Sequence, residues 1–220
     1  MIPNAKWIRP AQTTGDVCPV YSKQFSFFSS PNQSLSSVAH ATLSVTAMGV
    51  YEASLNGKRI GDFVLAPGWT SYRHRLQVQT YDVTELLSSE NELSILVGKG
   101  WYRSPLAWPD EAHRQQKAQI PAGLIALLTI TYTDGSTQLL PTGADWSAYE
   151  SNVRFSEIYD GETYDAAFDP SSAPIAIAEF DGPSDTLIAQ QGEKITEQER
   201  ILPARIFKRT STHNRRNPVY

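Results

Sequence analysis

LIALLTITYTDGSTQLL, residues 124–140, reads as two β-strands folded back on each other about Asp134-Gly135, a pair that tolerates the positive φ of a tight hairpin turn. Its first arm is apolar on both faces. Leu124, Ala126, Leu128 and Ile130 fall on one side and are flanked by Ile125 and Leu127 on the other. A strand with one wet face alternates apolar and polar residues, whereas this one needs a cover on each side. The stretch predicts a central strand sandwiched between its own core and a second sheet or another domain.

The period of two extends outward from this hairpin over Gln24 to Tyr132. Leu43, Val45 and Ala47 alternate with Thr42, Ser44 and Thr46, which predicts a strand with one buried and one wet face. Tyr51 to Leu55 repeats the alternation, runs into Asn56-Gly57 and returns through Lys58-Arg59-Ile60. RLQVQTYDV (Arg75 to Val83) and ELSILVG (Glu92 to Gly98) supply two more strands, with Asp82 placed to cap a short helix from Val83 to Leu87. Seven or more short strands punctuated by Gly, Pro, Asn and Asp indicate an all-β fold, an antiparallel two-sheet β-sandwich of the jelly-roll, galactose-binding-like type. After about Asp169 the chain becomes DPSSAPIAIAEFDGPSD, read as a linker or surface loop. The expected division is therefore 1–170 for the sandwich and 171–220 for a linker and the start of a following, truncated β-domain, with possible strands at Leu187–Gln190 and Ala204–Lys208.

Composition narrows the function. With 19 Lys+Arg against 23 Asp+Glu and a net charge of −4, the chain has no broad positive field for nucleic acid or anionic lipid. A lone cysteine, Cys18, cannot form an internal disulfide and reads as a small packed residue. The start, MIPNAKWIRPAQ, lacks the pattern of a signal peptide, and no run reaches the length of a membrane span, so a cytoplasmic, soluble protein is expected. His40, His74, His113 and His213 show no zinc spacing, and no phosphate-binding glycine loop or nucleophile elbow follows a strand. Ten Tyr, eight Phe and five Trp suit both a β-core and stacking on sugar rings.

YEASLNGKRIGDFVLAPGWTSYRHRLQVQTYDVTELL, residues 51–87, resembles the N-terminal domain of bacterial α-L-rhamnosidases, glycoside hydrolase family 78. KWI at 6–8, GKGWYRSPLAW at 98–108 and SEIYDGETYDA at 156–166 fit the same template in the same order. The resemblance implies a β-sandwich that helps to recognise substrate, a rhamnose-containing glycoside as partner, and hydrolysis by carboxylates of a helical barrel further along the parent enzyme. Twelve such helices would need about 130 helical residues, and this sequence contains none of them. The expectation is a non-catalytic recognition and scaffold domain that contacts the parent's downstream domains, the chain being a fragment of that parent or a truncated or stand-alone product. Alternatives are a stand-alone carbohydrate-binding protein and an enzyme with a new activity in the loop from Gly100 to Gln119. One departure from the family pattern is Ala167, where an Arg is usual.

Candidate substrate-binding residues are Trp101, Tyr102, Arg103, Trp108, Asp110 and Glu111, in a stretch that Pro105 and Pro109 keep from continuing a central strand, with Glu162 and Asp165 of GETYD. Sugar C–H faces stack on aromatic rings, and sugar hydroxyls pair with Arg, Asp and Glu. The blander assignments are core plugs for Trp101 and Tyr102, domain packing for Trp108, and backbone or inter-domain contacts for Glu162 and Asp165. Trp69, Thr70 and Tyr72 after Pro67-Gly68 read first as a packed corner and second as a sugar contact. No catalytic residue and no cofactor is expected. The resemblance to rhamnose-binding modules that use calcium raises that ion as an alternative at the acidic cluster around GETYD, against which the spacing speaks, since it is not that of an EF-hand.

Overall fold

The computed structural model describes residues 2–27, 35–105, 111–170 and 173–205, except for the side chains of Ser36, Glu111, His113 and Ala118. In chain order the strands and helices are β1 (Trp7–Pro10), β2 (Pro19–Ser26), β3 (Val38–Ala47), β4 (Val50–Leu55), β5 (Lys58–Arg59), β6 (Leu76–Asp82), β7 (Glu90–Gly98), α1 (Gly100–Arg103) and α2 (Glu111–Ala118). They continue with β8 (Leu124–Tyr132), β9 (Thr137–Pro141), β10 (Ser147–Glu150), β11 (Val153–Glu157), β12 (Gly161–Tyr164), β13 (Ile177–Phe180) and β14 (Leu187–Ala189). One sheet runs β13-β1-β8-β3-β6-β14 with β9 also on β8, and the other runs β10-β2-β7-β4-β5. A separate hairpin pairs β11 with β12. The protein is a β-sandwich. All strand pairs are antiparallel among the described residues except β14 on β6, which is parallel.

Both predicted hairpins form. Asn56 and Gly57 take φ of 55° and 74°, joining β4 to β5, the left-handed pair that a two-residue turn between twisted strands requires. Gly135 takes φ 83° between β8 and β9, while Asp134 Oδ1 accepts from the Ser136 backbone N–H and hydroxyl at 2.8 and 2.6 Å. Asp82 likewise accepts from the Thr84 N–H at 2.9 Å, and the helix after it is a single 3₁₀ turn, Thr84–Leu86.

The main core lies between the sheets. Leu43, Val45 and Ala47 of β3 and Leu124, Ala126, Leu128 and Ile130 of β8 meet Tyr21 of β2, Ala53 of β4 and Leu93, Ile95 and Val97 of β7. The other face of β8 is covered too, as its composition predicts. Ile125 and Leu127 pack with Ile2, Trp7, Met48, Leu76 and Val78, with Tyr72, Tyr102, Phe180 and Leu187 at the edges. The cover is supplied by the chain's own ends and loops. It also buries Thr46, so the outer face of β3 is not uniformly wet.

The sheet runs on past the boundary expected near residue 170. β13 pairs with β1 in the register Trp7↔Phe180 to Pro10↔Ile177, and β14 lies along Leu76 to Val78 of β6. These short strands complete a sheet whose other members lie far away in sequence, which Pro- and Ser-rich local composition does not reveal. The strand expected at Ala204–Lys208 is not present at Ala204 and Arg205, and its remainder lies outside the described residues.

Candidate functional site

At one end of the sandwich, β7 leads through Lys99 directly into α1. Gly100 is required at this corner because a Cβ there would lie 2.7 Å from the backbone nitrogen of Val50, far inside van der Waals contact. The single turn then sends three consecutive side chains in three directions. Trp101 stacks on Trp69, with ring centroids 6.2 Å apart and planes 11° from parallel. Tyr102 packs on Tyr72 at 4.6 Å and joins the outer core cluster. Arg103 donates from Nε to the Ile120 carbonyl at 3.2 Å.

α2 braces this turn, since Lys117 Nζ donates to the Tyr102 carbonyl at 3.0 Å. The stretch expected as one long loop from Gly100 to Gln119 thus contains two helical segments. EAHRQQKA at 111–118 consists largely of good helix formers but has no apolar face to give a periodic signal.

Behind α1, Lys99 Nζ reaches Asp16 Oδ1 at 2.6 Å and sits 4.5 Å from the centre of the Phe155 ring. Glu157 ends β11 with only 7% of its surface exposed. Its Oε2 accepts from the backbone N–H of Tyr159 and Asp160 at 2.6 and 2.8 Å. Burial pushes this carboxyl up, but the Ser104 hydroxyl and the backbone N–H groups of Asp160, Tyr159 and Ile158 outweigh burial and hold it below its ordinary value. Asp16, Lys99, Arg103, Arg114, Lys117 and Glu157 help to line a cavity of about 410 Å³. A second cavity of about 280 Å³ adjoins it, sharing Arg103 and adding Arg9 and Gln119.

Of the sequence candidates, Trp101, Tyr102 and Arg103 share the α1 turn, but only Arg103 lines the two cavities, while Trp101 faces Trp69 and Tyr102 the outer core. Trp108 and Asp110 lie outside the described residues, as does the Glu111 side chain. Glu162 is exposed on β12 and helps to line a separate cavity of about 200 Å³ with Cys18 and Arg59. Asp165 holds backbone: its Oδ1 accepts from the Ala167 N–H at 2.9 Å, and its carbonyl accepts from Asn152 Nδ2 at 2.8 Å. Trp69 departs from the packed corner, with 61% of its surface exposed, whereas Tyr72 keeps to it and donates to the Gly68 carbonyl at 2.9 Å. Sequence reasoning misses Asp16, Arg114 and Lys117 as cavity residues. Asp16 is 83 positions from Lys99, so no local spacing could have signalled their pairing. Cys18 is buried, and burial pushes its thiol up to about 11, away from nucleophilic character. No group of three or more His, Cys, Asp or Glu side chains converges among the described residues. No helix among them is long and apolar enough to cross a membrane.

The family model described as the alpha-L-rhamnosidase N-terminal domain matches residues 36–199. The chain belongs to this family. An alpha-L-rhamnosidase of Streptomyces avermitilis is 42% identical over 130 residues, which are 59% of this chain and 12% of that enzyme. The structure of native alpha-L-rhamnosidase from Aspergillus terreus aligns with a TM-score of 0.73 at 31% identity, covering 85% of this chain and 22% of that one. A Streptomyces avermitilis alpha-L-rhamnosidase complexed with L-rhamnose aligns with a TM-score of 0.66 at 32% identity, over 79% of this chain and 17% of that one. This rhamnosidase N-terminal domain therefore spans less than a quarter of the length of each relative.

Proposed function

We propose that the chain is the substrate-recognition and scaffold domain of an alpha-L-rhamnosidase, and that it binds rhamnose-containing glycosides without hydrolysing them. The observation that carries this reading is the Trp69–Trp101 pair. An indole 61% exposed and held flat by a second indole on a rigid turn is a ready platform for the C–H face of a sugar. The carboxyls point the same way. Inverting hydrolysis needs one carboxyl kept protonated while another is ionised, and a raised value is how proteins keep one protonated. Glu157, the buried carboxyl of the cavity wall, is held below its ordinary value instead.

One stacked ring contributes about 1 kcal/mol, and a dissociation constant near 1 mM corresponds to roughly −4 kcal/mol. Titration with L-rhamnose is therefore expected to change the tryptophan fluorescence only in the millimolar range. Trp69→Ala should abolish the change and leave the melting temperature within a degree or two, because the side chain is mostly in solvent. An aryl α-L-rhamnoside should release no aglycone above blank. A flat titration of the parent chain, or aglycone release that purified chain sustains, defeats the reading.

A further inference from the structure

Arg103 is half-buried between the two cavities, and burial pulls its guanidinium down from the ordinary arginine value. Its sole hydrogen bond among the described residues is from Nε to the Ile120 carbonyl, and it forms no ion pair among them. The nearby Asp16 is in direct contact with Lys99. Nε is thus anchored, while the two terminal nitrogens, four N–H donors in one plane, have no protein acceptor among the described residues. A guanidinium withdrawn from water is unfavourable unless something accepts from it. The planar fork matches the paired oxygens of a carboxylate or a sulfate.

The surroundings favour an anion. Arg114 and Lys117 line the larger cavity and Arg9 the smaller. Lys99 is neutralised by Asp16, and of the facing carboxylates Glu157 is turned onto backbone N–H groups, which leaves Asp160 as the other acidic side chain on the wall. At about 410 Å³ the larger cavity lies within the range of small-molecule sites, enough for a monosaccharide unit. We infer that Arg103 anchors a subsite for the carboxylate or sulfate group of an acidic sugar unit, so that the domain selects charged rhamnose-containing glycans over neutral ones. This inference rests on the sugar-recognition reading above and names its substrate class.

The test uses the 220-residue chain, followed by NMR, with sodium D-glucuronate, D-glucose 6-sulfate, D-glucose, sodium acetate and sodium sulfate. Glucuronate or glucose 6-sulfate should shift the Arg103 and Ile120 signals at millimolar concentration, and the one that binds better identifies the anionic group. Glucose at the same concentration should give no shift. Arg103→Lys, which keeps a cation and removes the fork, should weaken binding at least tenfold. Arg114→Ala, an exposed change that spares the fold, should weaken it severalfold, with melts of both variants as controls. Equal binding of glucose and glucuronate, unchanged affinity in the properly folded Arg103→Lys chain, or acetate and sulfate binding as tightly as the charged sugars would each overturn the inference. So would silence toward every charged sugar, which would leave the fork to an acidic segment of a longer enzyme. L-Rhamnose is neutral and is read at Trp69, so a rhamnose response without a charged-sugar response removes this inference alone.

Discussion

Glu157 binds the turn between β11 and β12 to the cavity wall by accepting two backbone N–H groups at 2.6 and 2.8 Å. Hydrogen bonds to an ionised group contribute about 1.5–3 kcal/mol, so Glu157→Gln is expected to lower unfolding free energy by roughly that amount near pH 7. The pH dependence has a definite sign. The folded-state value is depressed below the ordinary 4.5, so the stabilisation is fully present above 4.5 and fades as the pH falls through the lower folded value. The gap between wild type and Glu157→Gln should therefore narrow on acidification below about pH 4.5 and stay constant above pH 6. Urea denaturation of both proteins at pH 3.5, 5 and 7 measures this. A gap that widens in acid would mean that the carboxyl is not held ionised by the turn.

β8 is the element whose two apolar faces were most legible, and it makes a prediction that a one-sided strand does not. Leu128 faces the main core at 1% exposure and Leu127 faces the outer cluster at 5%. Leu→Ala in a packed core costs about 2–5 kcal/mol, and both substitutions should fall in that range by chemical denaturation. A loss below about 1 kcal/mol for Leu127→Ala would mean that the outer cluster is loosely held. What covers the second face was not legible, because Ile2 and Trp7, Met48, and Leu76 come from three separate places in the sequence and share no local pattern. The hairpins at Asn56-Gly57 and Asp134-Gly135 were legible because turn chemistry is local. α2 was hidden because its composition favours a helix without marking any face for burial. The site divides in the same way. Trp101, Tyr102 and Arg103 announce themselves as a polar-aromatic cluster beside prolines, whereas the exposure of Trp69 and the pairing of Asp16 with Lys99 exist only once the loops are assembled.

For the whole molecule, closure of the larger sheet depends on residues beyond 170. Trp7 is 2% exposed, with its ring 6.2 Å from Phe180 and its Nε1 donating to Ser184 Oγ at 3.2 Å. Gly182 is there because the indole leaves no room for a Cβ. Without β13, β1 keeps only the Ile8↔Leu124 pairing to the rest of the sheet. Without β14, the Leu76 to Val78 edge of β6 becomes an open template for another chain. Removing the cover from one large aromatic costs about 2–3 kcal/mol, and the loss of strand hydrogen bonds and of the Leu187 contact adds to it. A small domain holds only about 5–15 kcal/mol in total. A chain ending at residue 170 is therefore expected to be expressed poorly or to aggregate, with exposed apolar surface that binds a hydrophobic dye. A chain ending at residue 205 should be monomeric and unfold in one cooperative step. Gel filtration and urea denaturation of the two chains side by side make the comparison. If the shorter chain were monomeric with the same midpoint as the longer one, β13 and β14 would be dispensable ornaments on a sandwich complete by residue 170.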